Sequence, residues 1–510
     1  MISRGHHGRQ EYSLKAAVHH ISWIGGVATA VPHSSYRSVR QWTYTPPATA
    51  SLRALTTSVK LLVSFNYGSM IRDFANDYAN PARTDGQLSS RIPTDRRAAN
   101  AGKIMDQPRL RPIEAFPVHV GGRDLICLRD PSDLTDKAML VPRETLFLLA
   151  HFDGKHSILD IQESYTRQYG RLLFSDAITA LIAKLDEHLL LENEHFQAHK
   201  QELVEAFRKS PVRPAAHVGT AYAADLGELE VQLAAYFADS VGPHTAATPQ
   251  TGAVQGILSP HIDPRRGGAC FALAYESMRQ VTADLFIIFG TAHQPTSVPF
   301  PLTLKDYETP FGAVETDKVF VRDLARRYPT DLLSDEFAHR SEHSIEFQVL
   351  FLQYVLGPAR KFRVVPILVG SFHECVQRQV NPAEMAHIAD FIQAVQQAVT
   401  ERAEPVCYIV GGDLAHVGMK FGDQGPLTPA LLDHVAREDQ ALLAATTRMD
   451  AAGFFRRIAE AQDRWRICGF PPTYMLLSTM PATSGTLLKY DQAVEPATQS
   501  MVSYASVVFH

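Results

Sequence analysis

The 510-residue chain is 45% hydrophobic and 20% charged, with a formal net charge of -5. That is material for two or three folded domains, and the charge gives no chain-wide attraction to phosphate or anionic lipid, so nucleic acid is not an expected partner. No stretch approaches the roughly 20 apolar residues that a spanning helix requires, and five cysteines without CxxC spacing argue against a disulfide framework or zinc ribbon. A cytoplasmic protein without a membrane partner is expected.

Residues 1–104 are rich in Arg, His, Ser, Thr and Ala, and Glu11 is the only acidic residue before Asp73. They show no sustained period and are expected to form a disordered extension. The basic start resembles an organelle transit peptide, but a start codon read upstream of Met105 explains it more simply.

A small domain is expected over 105–197. Val118 to Leu128 reads as a hairpin with Gly121 and Gly122 at its turn. Pro142 opens a helix through Leu146 and Leu149 that stops at Asp153-Gly154. Ser157 is a candidate N-cap for a second helix, which carries Ile158, Ile161 and Tyr165 on one face and ends at Gly170. Ser175 is the candidate cap of a third, with Ile178, Leu181, Ile182 and Leu185 on one stripe before a strand-like Leu189 to Leu191. Small helices closed by a strand predict a winged helix. The Asp153-Gly154 turn, the short amphipathic helix, Gly170 and the leucine-rich end together resemble the PqqD-like family. That resemblance implies a module that holds a peptide or protein partner. The acidic residues Asp176, Asp186 and Glu187 on the third helix disfavour DNA.

Residues 198–211 read as a polar linker. From 212 to 510 apolar runs alternate with helical patterns, which predicts an α/β domain. Val254 to Leu258, Leu285 to Phe289, Val364 to Val369 and Val406 to Val410 read as buried strands followed by polar residues. Open sheets of this kind gather ligands beyond the carboxyl ends of their strands. His261, His293, Asp413 and His416 all follow such ends.

His261 stands in Ser-Pro-His-Ile-Asp-Pro (259–264), where two prolines restrict the backbone. A lone histidine beside a strand more often satisfies its own loop than binds a metal. His293 follows a second strand after Gly290, and Cys468 lies beside Gly469, so a His2Cys site suited to iron, copper or zinc is available. Alone, Cys468 reads as a small buried hydrophobe. Glu342, His343 and Glu346 open a helical pattern in which the two glutamates stand one turn apart, lining a pocket or starting a solvated helix. Gly-Gly-Asp-Leu-Ala-His (411–416) pairs Asp413 with His416, a candidate general base.

These blocks, with Val-Arg-Pro-Ala-Ala-His-Val-Gly at 212 and the closing Ser503 to Phe509, resemble the Memo family over 212–510. The resemblance implies a fold similar to the class III extradiol dioxygenases. It places the metal ligands at His261, His293 and Cys468, the base at His416 supported by Asp413, and the pocket wall at Glu342 and His343. Iron or copper is the implied cofactor, ahead of zinc. Where the family has an aromatic residue soon after the first histidine, this chain has Ile262-Asp263-Pro264, so Asp263 is expected to add negative charge near the metal. The family's Trp-Tyr pair is Ala221-Tyr222 here.

Memo proteins of the AmmeMemoRadiSam type are associated with radical-SAM proteins. The fused pair therefore implies a metal-dependent oxidoreductase in a peptide or protein modification system. A non-catalytic peptide-binding adaptor or metal carrier is the alternative. A metal-sensing transcriptional regulator is a weaker third reading.

Overall fold

The computed structural model describes residues 106–240 and 253–510; the extension expected over 1–104 and the start at Met105 lie outside them. The chain divides into two compact units, which meet in sequence at Leu203 and Val204.

In the first unit, β1 (Glu114–Val120) and β2 (Arg123–Arg129) form the expected antiparallel hairpin, and β3 (Met139–Val141) adds to β2. Gly121 and Gly122 take φ of 58° and 75°, left-handed values that a two-residue hairpin turn demands and that glycine reaches without Cβ strain. Helix α1 (Thr145–Leu149) precedes α2 (Ile158–Tyr169), where Ser157 and Asp160 form a capping box and Gly170 closes the helix. The third helix, α3 (Ser175–Glu187), starts at Ser175 itself, with Phe174 in the cap position and no side-chain cap. The strand expected at Leu189 to Leu191 is a single bridge from Leu191 to Leu110, since Leu189 turns to φ 58°.

The stretch read as a polar linker is largely helical. Residues Glu194–Lys209 form helix α4. Phe196 and Phe207 are buried on it and Leu203 is half-buried, a helical spacing hidden among Gln, Lys and Glu that are themselves good helix formers.

The second unit is built on a ten-stranded mixed sheet ordered β11-β13-β5-β10-β6-β9-β8-β7-β4, with β12 beside β13. Its strands are β4 (Val212–Arg213), β5 (Gly256–Ser259), β6 (Leu285–Thr291), β7 (Asp306–Thr309), β8 (Gly312–Thr316), β9 (Arg363–Val369), β10 (Val406–Gly411), β11 (His416–Gly418), β12 (Gly485–Glu495) and β13 (Ser500–Phe509). The central strands β5, β10, β6 and β9 run parallel.

Side chains on those strands point alternately to two separate cores. Leu285, Ile287 and Phe289 enter one core with Val365, Ile367, Tyr408 and Val410, beneath α7 (Lys318–Arg327), α9 (His373–Arg378), α10 (Ala386–Thr400), α11 (Pro429–Thr447), α12 (Ala451–Glu460) and α13 (Phe470–Thr479). Phe286 and Ile288 enter the other with Val364, Leu368, Cys407 and Ile409, beneath α5 (Leu226–Ser240), α6 (Pro264–Glu276) and α8 (His343–Leu356). Both faces are therefore covered, which is why these runs are continuously apolar. Each such side chain taken wholly from water contributes roughly 1.5–3 kcal/mol.

Asp439 on α11 is fully buried in this layer. Its Oδ2 accepts hydrogen bonds from Ser503 Oγ at 2.6 Å and Tyr490 Oη at 2.8 Å, while Oδ1 has no described partner. Burial pushes its pKa up to about 6. A carboxyl with a raised folded pKa stabilises the fold below its unfolded value near 4, and that contribution is lost as pH rises through about 6. Asp439→Asn is therefore expected to raise the unfolding free energy at pH 8, by up to roughly 3 kcal/mol, and to leave it unchanged at pH 4. Denaturant titrations at the two pH values measure the difference.

Candidate metal centre

Three neighbouring strands, β5, β10 and β6, end at the same sheet edge, and each delivers a polar side chain just beyond it: His261, Asp413 and His293. The fourth contribution comes from the turn before α13, where Cys468 precedes Gly469. A Cβ on Gly469 would stand 2.4 Å from the Asp413 carbonyl oxygen, so only glycine lets this turn lie against the Asp413 loop. Gly290 lies inside β6, where a Cβ would meet Ser344 and Ile345 of α8 at 2.6 Å. The glycine serves close approach of the helix.

His261 is 2% exposed. Its main-chain N–H donates to Asp413 Oδ1 at 2.9 Å, as does that of Ile262 at 3.2 Å. Its Nδ1 lies 2.9 Å from the Gly411 carbonyl oxygen, which can only accept, so Nδ1 carries the proton and Nε2 bears the free lone pair. That Nε2 is 3.1 Å from Cys468 Sγ and 3.7 Å from Asp413 Oδ2. Burial lowers the His261 pKa against the pull of Asp413. Burial raises the Cys468 thiol well above its ordinary range, and the charge of Asp413 adds to the effect.

His293 is held by Glu342. The carboxylate accepts the His293 main-chain N–H at 3.0 Å and lies 3.0 and 3.1 Å from Nδ1, which leaves Nε2 of this ring as well. Glu342 is the N-cap of α8 and also accepts the N–H of Ser344 at 2.9 Å. Burial alone would raise its pKa; the charge of His293 and its hydrogen bonds hold it well below the carboxylate range. His343, the first helical residue, stacks on His293 with ring centroids 4.7 Å apart and meets His261 edge-on at 5.2 Å.

His416 lies on β11, within electrostatic reach of Asp413, His261 and His293. Its Nδ1 is 3.1 Å from the Leu414 carbonyl oxygen, and its ring meets Phe421 edge-on. Burial lowers its pKa to about 4, so the imidazole is neutral across the physiological range. Asp413 spends its hydrogen bonds on the His261 loop rather than on His416. Arg466 joins the two segments, donating to the His416 carbonyl oxygen at 3.0 Å and gripping Asp423 at 2.5 and 3.1 Å.

Two sequence candidates face elsewhere. Asp263 caps α6, its Oδ1 accepting the Arg265 N–H at 2.9 Å. Glu346 points to the opposite side of the α8 start, into a fully buried ion pair with Arg213. There it also accepts the main-chain N–H groups of Ala216 and His217 and the hydroxyl of Tyr222. Because Glu342 is a cap with extended backbone, the two glutamates do not share a helical face. Arg213, the second residue of the block at 212, in turn donates to the carbonyl oxygens of Glu342 and His339 at 2.7 and 2.9 Å. It thereby fixes the chain that carries Glu342.

Among the described residues the potential ligand atoms fall into two overlapping sets, each with its atoms within 4.8 Å of one another: His261, Asp413 and Cys468, and His261, His293 and His343, so that the expected triad of His261, His293 and Cys468 is divided between them. His261 belongs to both. No helix among the described residues is long and apolar enough to cross a membrane.

Arg213→Met leaves the Glu346 carboxylate buried without its cation. It is expected to cost about 3–5 kcal/mol of stability, read from urea midpoints, with part recovered in the Arg213→Met/Glu346→Gln double variant. A single-variant loss below about 1 kcal/mol would show that this pair does not anchor the α8 start.

Comparison with known proteins matches residues 213–508 to the family model described as Memo-like protein. A MEMO1 family protein of Aquifex aeolicus is 30% identical over 390 residues, covering 76% of this chain and 96% of the relative. That match extends well before residue 213. A MEMO1 family protein of Thermus thermophilus is 25% identical over 360 residues, covering 68% and 98%. The memo-1 homolog of Caenorhabditis elegans is 25% identical over 311 residues, covering 58% and 82%. With a sheet edge that gathers two histidines, an aspartate and a cysteine, and a family model matching more than half its length, the chain belongs to the Memo-like protein family.

Proposed function

We propose that the second unit is a metal-binding domain in which His261, His293 and Cys468 hold one iron or copper ion, with Asp413 beside it, and that the ion serves an oxidation. The observation that carries this reading is the approach of His261 Nε2 to Cys468 Sγ, 3.1 Å between residues 207 positions apart, with the nitrogen's lone pair oriented by the Gly411 carbonyl. The donors fit a soft or borderline ion. Binding would remove the thiol proton, since a cation reverses the electrostatic preference that burial imposes on Cys468. When bound, iron or copper supplies electron transfer and open positions for substrate; the neutral His416 imidazole supplies a proton acceptor beside it. The fold reading that accompanies this proposal is the class III extradiol dioxygenase type.

For the first unit the proposal follows the PqqD-like, winged-helix resemblance: it holds a peptide or protein, in a modification system with a radical-SAM partner. The alternative, a non-catalytic adaptor or metal carrier, is favoured by the same unit, where Leu159, Leu172 and Phe174 stand more than half exposed and β1 is an edge strand.

Elemental analysis of anaerobically purified protein tests the reading. About one iron or copper per chain is expected in the wild type and loss in His261→Ala, His293→Ala and Cys468→Ala. His416→Ala is expected to keep the ion and lose oxygen uptake. Wild-type protein that neither carries nor takes up iron or copper overturns the proposal; a bound ion with no oxygen uptake and retained peptide binding supports the adaptor.

A further inference from the structure

The cleft contains a third imidazole that the His2Cys reading leaves idle. His261, His293 and His343 arrive from three different elements, the ends of β5 and β6 and the start of α8, and one ring nitrogen from each lies within 4.8 Å of the other two. In each ring, Nδ1 is turned toward a protein oxygen: the Gly411 carbonyl at 2.9 Å for His261, Glu342 at 3.0 Å for His293 and Glu342 at 3.4 Å for His343. One buried carboxylate thus faces two parallel imidazoles, whose planes differ by 16°. Oxygen partners on Nδ1 are the usual means of presenting Nε2 to a metal. For His261 and His293 these contacts are hydrogen bonds, and the His343 contact is a longer one to its sequence neighbour.

We propose that these three histidines form a second, thiol-independent metal position that overlaps the cysteine-containing one, keeping His261 and His293 and putting His343 in place of the sulfur. The two sets differ in charge. The first offers an aspartate and a thiolate; the second offers neutral imidazoles with Glu342 behind two of them, a set suited to divalent zinc, cobalt or copper. An ion can then remain in the cleft when the Cys468 sulfur is alkylated, oxidised or otherwise engaged. The inference rests on the same cleft as the oxidative reading, but it concerns His343 and not Cys468.

Cobalt(II) distinguishes the two positions, because a thiolate ligand gives an intense charge-transfer band and imidazoles do not. Metal-free full-length chain would be titrated with cobalt(II) as wild type, Cys468→Ser, His343→Ala and the double variant, with Cys468→Ala as a second thiol-free form and circular dichroism to follow folding. Cys468→Ser is expected to bind about one cobalt(II) without the thiolate band, and adding His343→Ala to weaken that binding at least about tenfold, the scale of losing one oriented ligand. His343→Ala alone should keep the band. Cobalt(II) bound by wild type with the band, yet by neither folded thiol-free form, would overturn the three-histidine position and leave the cysteine site standing. Equal affinity in Cys468→Ser and the double variant would overturn it too. Binding by wild type without the band, abolished by His343→Ala, would uphold the position and remove Cys468 from the ligand set.

Discussion

The geometry of the centre depends on one buried carboxylate. Glu342 must take the Ser344 N–H at the start of α8, take the main-chain N–H of His293, and face the Nδ1 atoms of His293 and His343. A charge in that position would be expensive if any of these were missing. It is tolerated because the helix start, the end of β6 and two imidazoles converge on it. Arg213 and Glu346 hold the same helix start from its other side, so the polar groups around the start of α8 form one connected arrangement.

The sheet supplies what the polar groups cannot, a common edge. Parallel strands buried on both faces must end in loops on the same side, and β5, β10 and β6 are adjacent. Their loops therefore meet without any long excursion. The glycines at 290, 411 and 469 let α8 and the Cys468 turn press against the strand ends. Packing and ligand placement are in this sense the same fact.

Much of this is visible in the residues alone. Continuous apolar runs locate the four central strands, and their polar followers His261, His293 and Asp413 stand at the edge because strand ends are where side chains escape the packed layers. Ser157, Gly170 and Gly121-Gly122 act as their local chemistry dictates. What local reading misses is partnership across distance. Arg213 and Glu346 are 133 residues apart, and nothing near either announces the other. Asp413 looks like a partner for His416 because the two are close in sequence, yet its hydrogen bonds reach back to residue 261. Glu342 looks helical and is a cap. Helix α4 was hidden by polarity, which marks a linker only when no apolar spacing accompanies it.

The distribution of sulfur has a consequence for how the protein ages. All five cysteines are free, and four of them, Cys127, Cys270, Cys375 and Cys407, are buried with thiols that burial holds near 11 or 12. Burial raises the Cys468 thiol as well, but Cys468 alone is partly open, so access and not acidity sets it apart. An oxidant or electrophile that reaches the folded chain therefore meets a single thiol, and it is the one in the cleft. Chemical damage is channelled to the cleft sulfur while the scaffold stays intact, so a preparation can keep its fold and melting behaviour long after the cleft has been altered.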